Sequence, residues 1–341
     1  MKVMYCQRKI KENITSTASI SIFFLVILVM ILTSTNFVYS LRNQSNYNVT
    51  DLQNIREFQA RKVRVGDIDI AYKTLGEGEP ILLVNPAQAD MNTWDPSILE
   101  NLSSNHTVIL FDNRGVGNTT SGNRPFSIQQ FTDDTAGLLD SLNIQKADVL
   151  GYSLGSFIAQ QLTVTQPEKV NRLILLASSC GGKDSIPHSP QVPKMVIDVI
   201  NKIGNGTPVS ADEVKALLSQ GLGSGWLKQH PNYLETIPIP EAKDLFPSIT
   251  PNNNLKQLKA GEDWMATDWS GICDELTKIS IPTLVMTGTD DLNVPTSNSL
   301  IIAGKIPGAW LIQIKDAGHQ LTGQYPDEIN EILETFLSIT N

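Results

Sequence analysis

The chain has 341 residues, of which 35 are Asp or Glu and 26 are Lys or Arg, giving a net charge of −9. That acidic balance excludes a general nucleic-acid binder, which needs clustered cations to neutralise phosphates. A hydrophobic content of 41% excludes a disordered chain, and 3 cysteines exclude both a disulfide-built scaffold and a four-cysteine zinc site. The length suits one large domain, or one domain with an insertion.

At the N-terminus, Lys2, Arg8, Lys9 and Lys11 precede the apolar block ISIFFLVILVMIL at 20–32. A basic start before such a block is the pattern of a secretory signal peptide, and Val38-Tyr39-Ser40 offers a cut after Ser40. The same stretch also suits a retained transmembrane helix. No charge occurs between Glu12 and Arg42, and about 20 apolar residues span a bilayer core. The basic flank then leaves the rest outside. Residues 1–40 therefore read as a signal peptide or a membrane anchor, with membrane association through residues 14–41 in the second case. Both readings export the body of the protein, which would be extracellular or held at the membrane with its catalytic part outside. Residues 41–60 are polar and without period, and read as a tether. Sequons at Asn43, Asn48, Asn101, Asn105, Asn118 and Asn205 matter only where the host glycosylates exported proteins.

From residue 61 strands and helices alternate. RKVRV and IDIAYKTL flank a Gly66-Asp67 turn as an antiparallel pair. PILLVNP, TVILFD, ADVLGYS and NRLILLASS are short apolar runs of buried strands. Ile128, Phe131, Leu138, Leu139 and Leu142 fall on one helical face, and LGSFIAQQLTVTQ reads as a helix with Pro167 just past its end. Residues 183–271 break the pattern with many prolines and several amphipathic pieces. IPTLVMTG then resumes as a strand, a helix covers roughly 296–305, AWLIQIKD is a strand, and Pro326-Asp327-Glu328 opens a last helix. Continuous apolar strands between amphipathic helices mean an α/β fold, with a mainly parallel sheet covered on both faces. The expected division is a core at 61–182 and 272–341 with an all-helical cap at 183–271. Cys180 and Cys273 are able to pair in an oxidising compartment, but nothing in the spacing forces a bridge, so free thiols are the default.

Gly151-Tyr152-Ser153-Leu154-Gly155 carries the chemistry. G-x-S-x-G alone is a weak pattern. Here it follows a strand and opens a helix, as a nucleophile elbow does. Ser153 is then a strained, exposed nucleophile, and the Leu154 N–H at the helix start faces developing negative charge. The chain has four histidines. His106 precedes its strand and lies at the wrong end of the sheet, and His188 and His230 sit in the insertion. His319, just past the last strand, is the remaining base. Asp290 and Asp291 follow the penultimate strand at the same end, and either can orient it.

Taken together, PILLVNPAQADMNTW, VILFDNRGVGNTTSG, DVLGYSLGS, TLVMTGTDDLNVP and DAGHQLTGQYPDEIN resemble the α/β-hydrolase superfamily with an inserted cap, over roughly residues 61–341. The resemblance implies a Ser153–His319–Asp291 triad, because the family's acid follows its strand as G-x-x-D and Asp291 stands three residues after Gly288. Asp290 is then a turn residue. It also implies an oxyanion hole from the backbone N–H groups of Ala87 and Leu154. The family's usual His-Gly pair is replaced by Asn85-Pro86, and Gln88 is placed to reach into the site. Arg114 resembles a fold residue that orders loops. Tyr152, Trp226 and Trp264, with Gln88, are candidate pocket residues, the tryptophans competing with a plain packing role.

The expected activity is hydrolysis of a small or medium apolar ester by two-step acyl transfer, with a small-molecule partner and no metal or cofactor. Three alternatives stay open: a cofactor-free haloperoxidase-like activity, a C–C bond or lactone hydrolase with the same triad, and a non-catalytic ligand-binding or sensor protein on the same fold. A serine at the elbow argues against dehalogenases and epoxide hydrolases, which use an aspartate nucleophile.

Overall fold

The computed structural model describes residues 59–339, apart from residue 189 and residues 238–244. The signal-or-anchor segment and nearly all of the tether lie outside the described residues. Among the described residues, no helix is long and apolar enough to cross a membrane.

The described residues open with β1 (Arg61–Val65) and β2 (Ile68–Leu75), an antiparallel pair. Gly66 takes positive φ at their turn, a conformation that costs glycine no steric penalty. Then come β3 (Glu79–Val84), α1 (Pro96–Ser103), β4 (His106–Phe111), α2 (Ile128–Ser141), β5 (Ala147–Tyr152), α3 (Leu154–Thr165) and β6 (Val170–Leu176). Among the described residues, five α-helices follow before the next strand: α4 (Gln191–Gly204), α5 (Ala211–Gly221), α6 (Ser224–Gln229), α7 (Tyr233–Thr236) and α8 (Pro251–Met265). The core resumes with β7 (Thr283–Gly288), α9 (Thr296–Lys305), β8 (Trp310–Ile314), α10 (Leu321–Gln324) and α11 (Pro326–Leu337).

The eight strands form one sheet in the order β1-β2-β4-β3-β5-β6-β7-β8. The two joints involving β2 are antiparallel and the other five are parallel. Ile81 to Val84 of β3 and Leu173 to Leu176 of β6 are fully buried, as strands covered on both faces must be. Helices α2, α3 and α9 supply Phe131, Phe157, Ile158 and Ile302 to the apolar layer on one face. Helices α1 and α11 supply Ile98, Leu102, Ile329, Leu333 and Phe336 to the other.

Helix α1 has no counterpart among the elements read from the sequence. Its signal is local: the Asp95 side chain accepts the Ser97 N–H, and Pro96 occupies the first turn, an ordinary helix start. The helices between β6 and β7 build an apolar cluster of their own from Val199, Ile200, Leu217, Leu218, Trp226 and Tyr233. Helix α8 serves both: its Leu255 and Leu258 pack against this cluster, while its Ala260, Trp264 and Met265 join the layer under the sheet.

The expectation of free thiols is overturned. Cys180 and Cys273 form a disulfide, with Cα atoms 5.0 Å apart. Their spacing in sequence could not reveal this, because the two residues meet only when the insertion returns to its starting point. Cys180 follows β6 and Cys273 precedes β7, so the bond joins the two stems of the insertion.

Candidate active site

Every candidate catalytic residue stands at the carboxyl end of a parallel strand, where open α/β sheets bind their ligands. Ser153 follows β5 directly. Its backbone has φ 53° and ψ −120°, a conformation that L-residues occupy only when the surroundings impose it. The flanking glycines make the turn possible. A Cβ on Gly155 would lie 2.0 Å from the Val84 carbonyl oxygen, and one on Gly151 would lie 2.3 Å from that of Gly155. The Ser153 N–H donates to the Leu176 carbonyl at 2.9 Å, which fixes the elbow to β6. Ser153 itself remains half-buried, within reach of a ligand.

His319 sits between Ser153 and Asp291. Its Nδ1 is 2.8 Å from Asp291 Oδ2 and its Nε2 is 2.9 Å from Ser153 Oγ. A carboxylate can only accept, so Nδ1 carries the proton and Nε2 is free to take one from the serine. Asp291 is held firmly. Its Oδ1 accepts the N–H groups of Asn293 and Val294, each at 2.9 Å, and its side chain has no exposed surface. The Tyr152 hydroxyl donates to the His319 carbonyl, and the two rings lie 5.6 Å apart. Burial, aided by the nearby Asp291 charge, pushes the Tyr152 phenol well above its ordinary range, so it stays a donor. Tyr152 thus props the histidine loop.

Asp290 does a different job from its neighbour. Its carboxylate accepts the Gly225 N–H at 2.9 Å and the Ser224 hydroxyl at 2.7 Å. The Gly225 N–H, then the Ser224 hydroxyl, hold this carboxyl below its usual range. The turn residue expected here is therefore also an anchor for the start of α6. The histidine loop is fastened to the same segment: Gln320 N–H donates to the Gly221 carbonyl at 2.8 Å, and Trp226 N–H to that of Asp316 at 3.3 Å.

The Asn85-Pro86 loop, expected to supply the oxyanion hole, is well braced. Asn85 is fully buried, donates to the Phe111 carbonyl at 2.7 Å and accepts the Trp94 indole N–H at 2.6 Å. Neither the Ala87 nor the Leu154 N–H donates to an acceptor among the described residues. Gln88 takes positive φ and turns toward α8. Its N–H donates to Gln257 Oε1 at 2.6 Å and its Nε2 to Asn254 Oδ1 at 2.7 Å. Asn254 and Gln257 went unnoticed in the sequence, because two amides on a polar helix carry no signal until the helix is placed.

Trp226 and Trp264 have packing partners. Trp226 stacks on His230 at 4.0 Å and meets Tyr233 edge-on at 4.7 Å. Trp264 stacks on Phe157 at 5.9 Å and donates its indole N–H to the Ser179 carbonyl at 3.0 Å. Trp264 also lines a cleft of about 270 Å³ with Ile128, Trp269 and Ile272, which contains no residue of the triad. A larger cleft of about 620 Å³, between the Gly115–Ser121 loop and the start of α8, also excludes the triad, although Asn254 lines it. Arg114 is fully buried between Asp67 and Asp134, at 2.8 and 2.7 Å. Its hydrogen bonds tie loops together, as the sequence reading expects.

The other histidines are engaged elsewhere. His188 pairs with Glu262 at 2.9 Å, His230 lies on Trp226, and His106 begins β4. Among the described residues, no group of three or more His, Cys, Asp or Glu is arranged to hold a metal ion.

Residues 79–322 match the family model described as the alpha/beta hydrolase fold. A protein of Azorhizobium caulinodans named as a carbamate hydrolase is 27% identical, over 80% of this chain and 96% of its own. A poly(3-hydroxyalkanoate) depolymerase of Ectopseudomonas oleovorans is 29% identical, over 76% and 84%. The solved structure of an N-acyl homoserine lactone degrading enzyme superposes with a TM-score of 0.63 at 27% identity, covering 81% of this chain and all of that one. The chain belongs to the alpha/beta hydrolase fold family and is an enzyme of the hydrolase class.

Proposed function

We propose that the chain is a serine hydrolase that cleaves a small or medium carboxylic ester by two-step acyl transfer. The observation that carries this reading is the unbroken hydrogen-bonded line from buried Asp291 through His319 to a half-exposed Ser153 at positive φ. His319 Nε2 takes the Ser153 proton as Oγ attacks the acyl carbon. The N–H groups of Ala87 and Leu154 stabilise the oxyanion, and Asp291 holds the imidazolium that forms. Nε2–H then protonates the leaving alcohol. In the second half, His319 takes a proton from water, the hydroxide attacks the acyl-enzyme, and Ser153 leaves with its proton restored.

In this reading residues 183–271 form a cap over the strand ends and set the substrate choice. The same steps open a ring ester. Likeness to a lactone-degrading enzyme makes lactone hydrolysis the second reading. We also propose export of the protein. The basic and apolar N-terminal segment supports it, and so does the Cys180–Cys273 disulfide, which suits an oxidising compartment.

The test is labelling of the purified protein with a fluorophosphonate probe, beside Ser153→Ala, with turnover of p-nitrophenyl butyrate. Labelling of the parent alone, with ester turnover, is the expected result. A folded parent that takes no label would refute the hydrolytic reading and favour a ligand-binding protein.

A further inference from the structure

The stretch Gly221-Leu222-Gly223-Ser224-Gly225 joins α5 to α6 and is rich in glycine. Backbone conformation does not explain this. Gly223 has φ −68° and ψ 137°, an extended shape open to any residue. Gly221 and Gly225 lie in helices, where glycine is less stable than alanine. What the three share is a close neighbour. A Cβ on Gly223 would lie 1.9 Å from the Asp316 carbonyl oxygen, one on Gly225 would lie 2.2 Å from Asp316 Oδ1, and one on Gly221 would lie 2.6 Å from Gln320 Nε2. The other side of the contact is built alike, since a Cβ on Gly318 would lie 2.5 Å from the Gly223 nitrogen. Backbone therefore rests directly on backbone, and residues 316–318 run straight into His319.

The histidine loop has little room to yield. On the sheet side, the Asp316 N–H donates to Thr289 Oγ1 at 2.9 Å, and the Ala317 carbonyl accepts the Asp290 N–H at 2.8 Å. The Gly318 N–H donates to Gln324 Oε1 at 2.8 Å. Asp316 is held at φ 65°, which a residue with a side chain adopts only when its surroundings impose it. On the insertion side, two backbone hydrogen bonds bracket the base: Asp316 accepts the Trp226 N–H, and Gln320 donates to Gly221.

We propose that Gly223 is a positioning residue for His319. The glycine-lined segment 221–225 sets where the imidazole stands, so the insertion acts on turnover as well as on substrate choice. This rests on the acyl-transfer reading above and adds a role to the insertion within it. Contacts between a carbon and a carbonyl oxygen settle at about 3.3–3.6 Å, so a methyl on Gly223 forces the two backbones apart by more than about 1 Å. His319 Nε2 stands 2.9 Å from Ser153 Oγ, and a general base works within about 3.2 Å. A displacement of about 1 Å takes the base out of reach and costs about 10²-fold in rate.

The experiment measures p-nitrophenyl butyrate turnover, the rate of fluorophosphonate labelling and urea unfolding in the parent, Gly223→Ala, Gly225→Ala and Gly204→Ala. Gly204 ends α4 in the same insertion, and its added methyl would meet only the Pro251 side chain, at 3.4 Å. That variant makes the same chemical change away from the contact and should match the parent. We expect folded Gly223→Ala to lose about 10²-fold in kcat with KM within about threefold, because the ester still binds while the base is displaced. Labelling should slow in step, since Ser153 attacks the probe only as His319 takes its proton. Gly225→Ala presses on a carboxylate that can turn aside, so its kcat should fall about three- to tenfold with KM unchanged. A Gly223→Ala kcat within about threefold of the parent would overturn the proposal. So would a loss carried by KM alone, or losses in both variants that only follow the fraction unfolded. Where Gly223→Ala does not fold, Gly225→Ala decides, and parental kcat there overturns the proposal. A parent that labels and turns over while folded Gly223→Ala equals it sinks the positioning role alone; a parent that takes no label sinks the hydrolytic reading beneath it.

Discussion

Replacing Cys180 and Cys273 together by alanine removes the one covalent tie seen among the described residues. The bond spans 93 residues of sequence and closes the whole insertion into a loop. In the chain-entropy account, closing a loop of that size in the unfolded state is worth about 4.6 kcal/mol at 25 °C. That is a large share of the about 5–15 kcal/mol by which a domain is stable. Both cysteines are fully buried, so alanine also leaves a small void. The wild-type protein in reductant, which keeps the sulfur atoms, separates the void from the cross-link. Guanidinium unfolding of the oxidised protein, the reduced protein and the double variant would be compared. We expect both reduced protein and variant to lose about 3–5 kcal/mol, with the variant slightly the weaker. A loss below about 1 kcal/mol in both would refute the reasoning, because it would mean that the folded stems hold each other without the bond.

The two neighbouring aspartates should separate cleanly. Asp291→Asn is expected to lower kcat by about four orders of magnitude with the fold intact. Asp290→Ala should keep kcat within about tenfold and lower stability by about 1 kcal/mol, through loss of the Ser224 and Gly225 bonds. Near-equal kinetic losses would reassign the triad acid. Arg114→Met should cost about 3–5 kcal/mol in urea unfolding, because it leaves the buried Asp134 without its cation and Asp67 with only the exposed Arg124; a loss under about 1 kcal/mol would contradict that. Asp112 gives a pH test. Burial pushes its carboxyl up to about 6, against the N–H groups of Met91 and Asn118 that pull it down. A carboxyl raised on folding favours the protonated folded state. Its contribution is therefore full below about pH 4 and is lost as pH rises through about 6, a change of about 3 kcal/mol. The stability difference between wild type and Asp112→Asn should fall across that window and then level off; a flat difference would count against the assignment.

Much of this architecture is readable locally. Apolar runs such as ILLV and LILL have no polar face to show to water, so they declare themselves as central strands. Gly151, Ser153 and Gly155 declare a turn because the strand before them and the helix after them leave room for nothing else. The end of the sheet on which a residue falls follows from whether it precedes or follows its strand, and that was enough to choose His319 from four histidines. What stayed hidden depended on contacts between distant parts of the chain. The Cys180–Cys273 bond, the attachment of Asp290 to Ser224 and Gly225, and the carboxamide wall of α8 against Gln88 all join residues tens to more than a hundred positions apart. Periodicity reports only which face of an element is apolar. The alternation of apolar strands and amphipathic helices thus determined the sheet and the end of it at which Ser153 and His319 stand. Only the tertiary structure decided how the insertion is fastened to the core, because that depends on where distant parts of the chain come to rest.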